Sequence, residues 1–524
     1  MFYDVIVVGG GIAGLTCSAF LAKSDRSVLL LEKTEKLGGC INSFERDSFL
    51  FDGGIRAIEN SGVLLPMLRK LGIDVELVKN NISIGLGNDV IRLESVASLV
   101  EYEKLLKKHF PDNSSDIERI FVEIKKITHY MNVLSTIDNP LFLDMKKDRK
   151  YFITVILPWL IRYLLTVGKT EKLKEPVKQY LGRFTTNQSL IDIIAQHFFK
   201  DTPTFFALGY FQLYLDYYYP KGGTHTLINR IERFISDGGV QIKNSTEIKE
   251  VNAELHQISD QNGNTYSYSK LVWAADLKTL YKIIDIDSIE NPRIKKSIIS
   301  RRETVVDKTG GDSIFTLYLG LDIDKEYFSA IASEHFFYTP SSRGLLKSAI
   351  IDLSSKEKAI TSLEEFFKYN TFEISLPALR DRNLASQGKT GLIISTLFDY
   401  SVAESIYNSG WYEEFKMLSE SIIIHLLNDS IYPGIKDKIA CRFSSTPLTF
   451  FKRYANSGGA ITGWGFDNSE IPVETRLIKI ANSVNTPVPD ILQAGQWSFS
   501  PSGVPVSIIT GKLAADKVRK AIRH

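Results

Sequence analysis

An α/β fold is predicted, and three features of the chain predict it. The N-terminus reads strand, glycine-rich turn, helix; a second strand follows and ends on an acid; and 524 residues exceed the usual size of one domain. Val5-Ile6-Val7-Val8 is a short, β-branched run of the kind buried in a parallel sheet. It leads into Gly9-Gly10-Gly11-Ile12-Ala13-Gly14, a G-x-G-x-x-G pattern opening a helix expected to reach about Lys23. Gly9 permits the tight turn, Gly11 lets the backbone approach a pyrophosphate, and Gly14 lets helix and strand pack closely. Ile12 and Ala13 lie in the first helical turn, whose free N–H groups and partial positive charge suit that pyrophosphate.

The second strand, Val28-Leu29-Leu30-Leu31, ends at Glu32, eighteen residues after Gly14, with Lys33 next. A carboxylate there accepts hydrogen bonds from the ribose hydroxyls of an adenosine. Because strand, glycines, helix, second strand and acid occur in order, the segment reads as a Rossmann-like dinucleotide unit rather than a glycine-rich turn. Gly38-Gly39 and Phe51-Asp52-Gly53-Gly54 follow directly, and such glycines suit close backbone approach to a long cofactor, which favours FAD over NAD. Only one G-x-G-x-x-G is present, so an external electron donor or acceptor is expected in place of a second nucleotide domain.

Composition narrows the classes further. Hydrophobic residues make up 44% and charged residues 24%, as in ordinary globular proteins, and a net charge of +2 argues against a nucleic-acid partner. The cysteines Cys17, Cys40 and Cys441 are too few and too far apart for a disulfide framework, and no metal site is expected. Met1-Phe2-Tyr3-Asp4 lacks the basic stretch of a secretory signal and runs straight into a strand, so a cytoplasmic setting is the expectation.

The string Glu32-Lys33-x-x-x-x-Leu37-Gly38-Gly39-Cys40, continued by Phe44-Glu45-Arg46-Asp47 and Phe51-Asp52-Gly53-Gly54-Ile55, resembles the phytoene desaturase, carotenoid isomerase and retinol saturase family of FAD-dependent oxidoreductases, within the amine-oxidase-like flavoproteins. The resemblance recurs at Tyr219-Pro220-Lys221-Gly222-Gly223-Thr224, at Asn244–Val251, and at Leu271–Asp276. It returns at Gly458–Trp464 and in the closing motif from Ala494-Gly495-Gln496-Trp497 through Gly503-Val504-Pro505 to Thr510-Gly511. It implies that the strand carrying Ile248 packs against adenine, and that Gly495, Gln496, Gly503 and Val504 border the flavin at the start of a helix from about Val506. Two departures stand out: Cys40 replaces the arginine usual in desaturases, and Gln496 replaces a common aspartate. Both lean toward the saturase or isomerase side, with a reduced flavin acting on an unsaturated substrate.

The resemblance also implies a discontinuous FAD-binding domain from residues 1–75, 219–278 and 445–524. Residues 76–218 and 279–444 would then form a substrate domain of mixed sheet and helices. Phe315, Leu317 and Leu319, and the run 392–398, fit strands of its sheet. Phe152–Val167 is apolar nearly all round, with basic residues on both sides across 146–174. It is short of the ~20 residues of a spanning helix. A buried helix and an interfacial segment, with Trp159 near the boundary and lysines on anionic headgroups, both remain open, and the second makes the protein peripheral on a membrane. Phe205, Phe206, Tyr210, Phe211, Tyr214 and Tyr217–Tyr219 form an aromatic stretch fit for core or for a polyene-lined cavity.

No nucleophile–base arrangement stands out, as befits chemistry carried by a flavin. Arg56 and Glu59, just past Gly54, are the candidate catalytic groups near the ring; a surface position for both is the alternative. The expected activity is FAD-dependent saturation, isomerisation or desaturation of a lipophilic polyene or isoprenoid. An amine-oxidase-like enzyme with a polar substrate and a lipid-binding protein like the GDP-dissociation inhibitors are the competing readings.

Overall fold

The structure, a computed structural model, describes residues 1–144 and 146–522. The last two residues of the expected third FAD-domain segment lie outside the described residues.

Two seven-stranded sheets organise the chain. In the first, Phe2–Val8 lies between Val28–Leu31 and Thr265–Trp273, parallel to both, with Gln241–Lys243 outside Val28–Leu31. An antiparallel meander, Ile248–Asn252 and Gln257–Asp260, extends it, and Ile491–Gln493 adds a parallel strand beside Trp273. The four apolar residues of Val28–Leu31 are all buried, as strands covered on both faces require. The second sheet runs Ile439–Ser445, Ser313–Leu321, Thr390–Phe398, Phe372–Ser375, His335–Thr339, Ile82–Leu86, Asp89–Leu93. Every residue of Ser313–Leu321 is buried, so the alternation anticipated at Phe315, Leu317 and Leu319 reports one of two covered faces. A three-stranded ribbon, Ile58–Glu59 with Tyr217–Pro220 and Leu77–Lys79, joins the regions.

The first helix spans Ile12–Leu21, two residues shorter than expected, because Lys23 turns to φ 59° and donates its N–H to the Gly238 carbonyl at 2.9 Å. Glycine is obligatory at Gly14, where a Cβ would lie 1.9 Å from the Gly9 carbonyl oxygen. The C-terminal helix spans Val504–Ala521, two residues earlier than expected because Pro505 is accommodated in its first turn, where no N–H is needed. It crosses the first helix at Gly511, whose Cβ would meet the Ala13 carbonyl oxygen at 2.3 Å.

The 146–174 region departs from the expectation of a segment too short to span. Arg149–Thr170 is one continuous helix of 22 residues, long and apolar enough by length and composition to cross a membrane, and only 22% of its apolar window is buried. The polar start Arg149-Lys150-Tyr151 extends the apolar core by a turn, and a π-helical turn at Phe152–Ile156 carries the chain into Pro158 without a break. Most of its apolar surface is exposed, which counts against the buried-helix reading. Trp159, expected at a lipid boundary, faces inward instead and donates its Nε1–H to the Val133 carbonyl at 2.6 Å. Ile153, Leu157, Leu160, Ile161, Leu164 and Leu165 line the outward stripe, all exposed.

The helix crossing makes a paired test. Gly511→Val forces the two helices apart and is expected to cost about 3 kcal/mol, whereas Gly168→Ala, in open helical surface, is expected to stabilise by up to about 1 kcal/mol. Thermal and urea denaturation of both variants check the contrast.

Candidate active site

One continuous cavity of about 420 Å3 connects the first sheet to the second. Its lower part is lined by Gly9, Gly11, Ile12, Ala13, Glu32, Lys33, Gly38 and Gly39 from the N-terminal unit, and by Ile248 from the meander. Gly54, Gly495, Gln496, Gly503 and Val504 line its other side. Gly14 does not line it; its work is the close helix–strand contact. The sequence-selected residues, spread over the whole chain, thus converge on one surface.

The lower part has the chemistry of a dinucleotide cradle. No atom lies within 4 Å of the position a Cβ would take on Gly11, so that space is open to a ligand, and the Gly39 Cβ position lies 3.4 Å from the Gly11 Cα. Glu32 is 9% exposed and fixed by the Gly10 N–H at 2.6 Å and by the N–H and hydroxyl of Thr34 at 2.8 Å. Its carboxylate thereby keeps one orientation at the end of its strand while retaining lone pairs for a ribose. Lys33 pairs with Glu247 at 3.2 Å across the mouth. The Trp497 Nε1–H, buried on the same lining, has no partner among the described residues. Two helices, Ile12–Leu21 and Val504–Ala521, begin at the cavity and aim free N–H groups into it. These residues fit a flavin dinucleotide: a pyrophosphate on the first helix, a polarised ring edge on the second. Cys40 lines the cavity as a thiol, its pKa pushed up to about 12 by burial.

The upper part joins a charged cluster to an aromatic slot. Arg56 is only 5% exposed, so the surface reading fails for it. Its guanidinium donates to Glu373 at 3.2 Å, to Thr316 at 3.3 Å and to Ser395, tying the loop after Gly54 to three strands of the second sheet. Burial opposes the charge on Glu373, but the Arg56 guanidinium beside it holds its pKa down to about 2. His335 sits with Nε2 3.0 Å from Glu373, and burial pushes its pKa down against the opposing pull of that carboxylate. Phe198, Phe206, Tyr210, Tyr214, Tyr217 and Phe337 form the slot beside it.

Glu59 is half-buried on the ribbon strand and lines this cavity too. Burial first, then the nearby Asp216, raise its carboxyl to about 7. Its Oε1 lies 3.1 Å from the Cβ position of Gly503, at the start of the C-terminal helix. Glu59, Phe206, Ser502 and Gly503 also border a second, more open cleft of about 1610 Å3, which reaches Trp159, Tyr163 and Thr170 on the Arg149–Thr170 helix.

Of the aromatic stretch, Phe206, Tyr210, Tyr214 and Tyr217 reach the site, Phe205 reaches the second cleft, and Phe211 is core. Tyr219 is buried against Asp52, which also accepts from Ser43 at 2.7 Å and from the N–H and hydroxyl of Thr224. That hub fastens the Phe51–Gly54 turn to the Tyr219–Thr224 turn. Sequence reasoning missed Glu373, His335 and His197, the last buried in the slot with its pKa lowered to about 4. They come from ordinary strands and a helix end with no local pattern; the second sheet alone brings Glu373 and His335 side by side, at register position Phe337↔Glu373 and its neighbours. Among the described residues no cluster could hold a metal ion.

Comparison with known proteins agrees with this geometry. Residues 7–71 match the NAD(P)-binding Rossmann-like domain. The chain is 21% identical to a 4,4'-diapophytoene desaturase of Staphylococcus aureus, over 99% of each chain. It is 24% identical to an all-trans-retinol 13,14-reductase of Danio rerio, over 94% of this chain and 82% of that one. A solved putrescine oxidase matches its fold with a TM-score of 0.61 at 12% identity, over 100% of both chains. Fold and cavity define a flavin-dependent oxidoreductase of mixed α/β architecture. Within that class, the chain is similar to carotenoid desaturases and retinol reductases along nearly its whole length.

The site yields two predictions. Gly11→Val fills the open cradle and is expected to abolish flavin binding while circular dichroism stays native; retention of stoichiometric flavin would contradict the assignment. For Glu59 the folded pKa, about 7, lies above the ordinary value of 4.5. The folded state therefore holds the extra proton, and its contribution to stability is complete below pH 4.5 and lost as pH rises through 7. Glu59→Gln is expected to match the parent's stability at about pH 5 and exceed it by of order 1–2 kcal/mol at about pH 8, as measured by denaturant titration at both pH values.

Proposed function

We propose that the chain binds FAD and uses it to add or remove hydrogen across a carbon–carbon bond of a lipophilic polyene or isoprenoid, exchanging electrons with an external donor or acceptor. The observation that carries this reading is the join between a dinucleotide cradle and an aromatic slot within one cavity. When bound, FAD supplies two-electron chemistry at its ring. Gly9, Gly11 and the first helical turn would hold its pyrophosphate, Glu32 its ribose, and the Val504–Ala521 N-terminus its polar ring edge. The slot's rings would hold an extended chain by contact and exclude water. Glu59, its carboxyl raised to about 7 so that both forms are at hand near neutral pH, is suited to give the proton that a carbon gains in saturation or take the one it loses in desaturation; Arg56, fixed in its ion pair, positions the loop carrying it.

The family relatives named for a diapophytoene and for a retinol support a polyene as substrate. A polar amine substrate, as in putrescine oxidase, fits poorly in a slot walled by Phe198, Tyr214 and Phe337. A pure lipid escort has no need of the open cradle at Gly11. The exposed stripe on Arg149–Thr170, with Lys146, Lys147, Lys169 and Lys172 at its ends, supports a peripheral membrane position. The cleft from Trp159 to Glu59 then offers a lipid-borne substrate a route to the site.

Direction is tested by photoreducing the flavin without oxygen and adding a carotenoid or retinoid. Reoxidation with loss of a double bond is expected, or altered double-bond geometry with the flavin still reduced; turnover by oxidised enzyme alone, gaining a double bond, would reverse the lean taken from Cys40 and Gln496. Membrane docking is tested by liposome flotation. Binding is expected to anionic vesicles and to weaken at least tenfold when Leu160, Leu164 and Leu165 on the exposed stripe become Ser. Equal, negligible binding to anionic and neutral vesicles would remove the membrane from the proposal.

A further inference from the structure

We propose that Arg56, Glu373 and His335 form a subsite for a neutral oxygen end group, a hydroxyl or carbonyl, on the lipophilic chain held in the aromatic slot. The inference rests on the polyene reading above and narrows it, from any hydrocarbon to an oxygenated one.

The observation is a set of buried polar atoms without partners. Arg56 and His335 are 5% and 2% exposed and both line the cavity. The Arg56 Nε–H and both His335 ring nitrogens nonetheless lack a hydrogen-bond partner among the described residues. A hydrocarbon seated against them would leave them unsatisfied in a dry site, which a hydroxyl avoids by donating to Glu373 and accepting from Arg56 or His335. Such sites discriminate strongly against analogues lacking the group, because the loss falls on the site's own buried atoms.

Charge selects a neutral group. Glu373 already balances Arg56 at 3.2 Å, and burial disfavours a charge on His335, so a carboxylate would meet Glu373 with no uncommitted spare cation. Arg380, the next guanidinium, is committed to Asn80, to Ser375 at 2.8 Å and to the Glu334 carbonyl at 3.0 Å. The slot adjoins the cluster directly: the His335 ring lies 5.2 Å from Phe337 and 5.7 Å from Tyr217, centroid to centroid. One end of the ligand is therefore met by polar groups and the remainder by aromatic rings.

The test uses flavin-loaded protein and two probes: all-trans-retinol and the hydrocarbon in which its terminal CH2OH is replaced by CH3. Binding is read from perturbation of the flavin absorbance and from quenching of protein fluorescence. The parent is expected to bind the alcohol at least tenfold more tightly than the hydrocarbon. His335→Phe and Glu373→Gln are each expected to bring the two affinities within threefold, mainly by weakening the alcohol. Equal affinities in the parent overturn the subsite, whether or not the variants fold, and so does a preference left intact in both folded variants. Binding of neither probe overturns the polyene reading, and the subsite with it.

Discussion

The two ends of the chain meet where the Ile12–Leu21 helix crosses the Val504–Ala521 helix, and the rest of the site depends on that crossing. Gly511 admits the Ala13 carbonyl at a distance no side chain would allow, and Gly495 sits with its Cβ position 3.2 Å from the Ala13 side chain. The contact sets two helix N-termini against one cavity. Each supplies unpaired N–H groups, which in the proposed complex would face a pyrophosphate on one side and the polar edge of a flavin ring on the other. The first strand, the Gly9 turn and the Ile491–Gln493 strand only have to deliver those helices at the right height, and the parallel register of Thr265–Trp273 with both strands does so.

The second sheet answers a different demand. A flavin site must keep water from its reacting face while admitting an apolar substrate. The strands Ser313–Leu321, Phe372–Ser375 and Thr390–Phe398 roof the cavity, and Arg56 is pinned to one residue of each, Thr316, Glu373 and Ser395. The pin joins the loop following Gly54 to the roof, so cofactor cradle and substrate slot share one rigid boundary. Glu59, three residues on, inherits that placement. Its carboxyl is left between the slot and the open cleft, in surroundings that raise its pKa to about 7.

The parts legible in the sequence are those where backbone geometry demands a residue type. Gly9, Gly11, Gly14 and Glu32 sit at fixed offsets in a continuous segment, and the closing motif from Gly495 to Gly511 does the same at the other end. In both places a close approach or a turn leaves a local signature. Glu373 and His335 leave none: each is a single polar residue on a buried strand, and only antiparallel pairing across the second sheet sets them together. The Arg149–Thr170 helix is longer than its sequence suggests because charge at Arg149 and Lys150 ends the apolar run before the helix ends. The inward turn of Trp159 depends on a carbonyl of Val133 exposed on another helix, which no local pattern announces.

The identity of the cofactor bears most directly on this site. The protein, expressed with FAD supplied and purified folded, is to be denatured and the released nucleotide separated and identified by absorbance and mass. One FAD per chain is the predicted result. Release of FMN, or of no nucleotide from several well-folded preparations, would contradict it, because Glu32 and the Gly9–Gly14 turn would then address no adenosine and no pyrophosphate; release of NAD would contradict the flavin assignment.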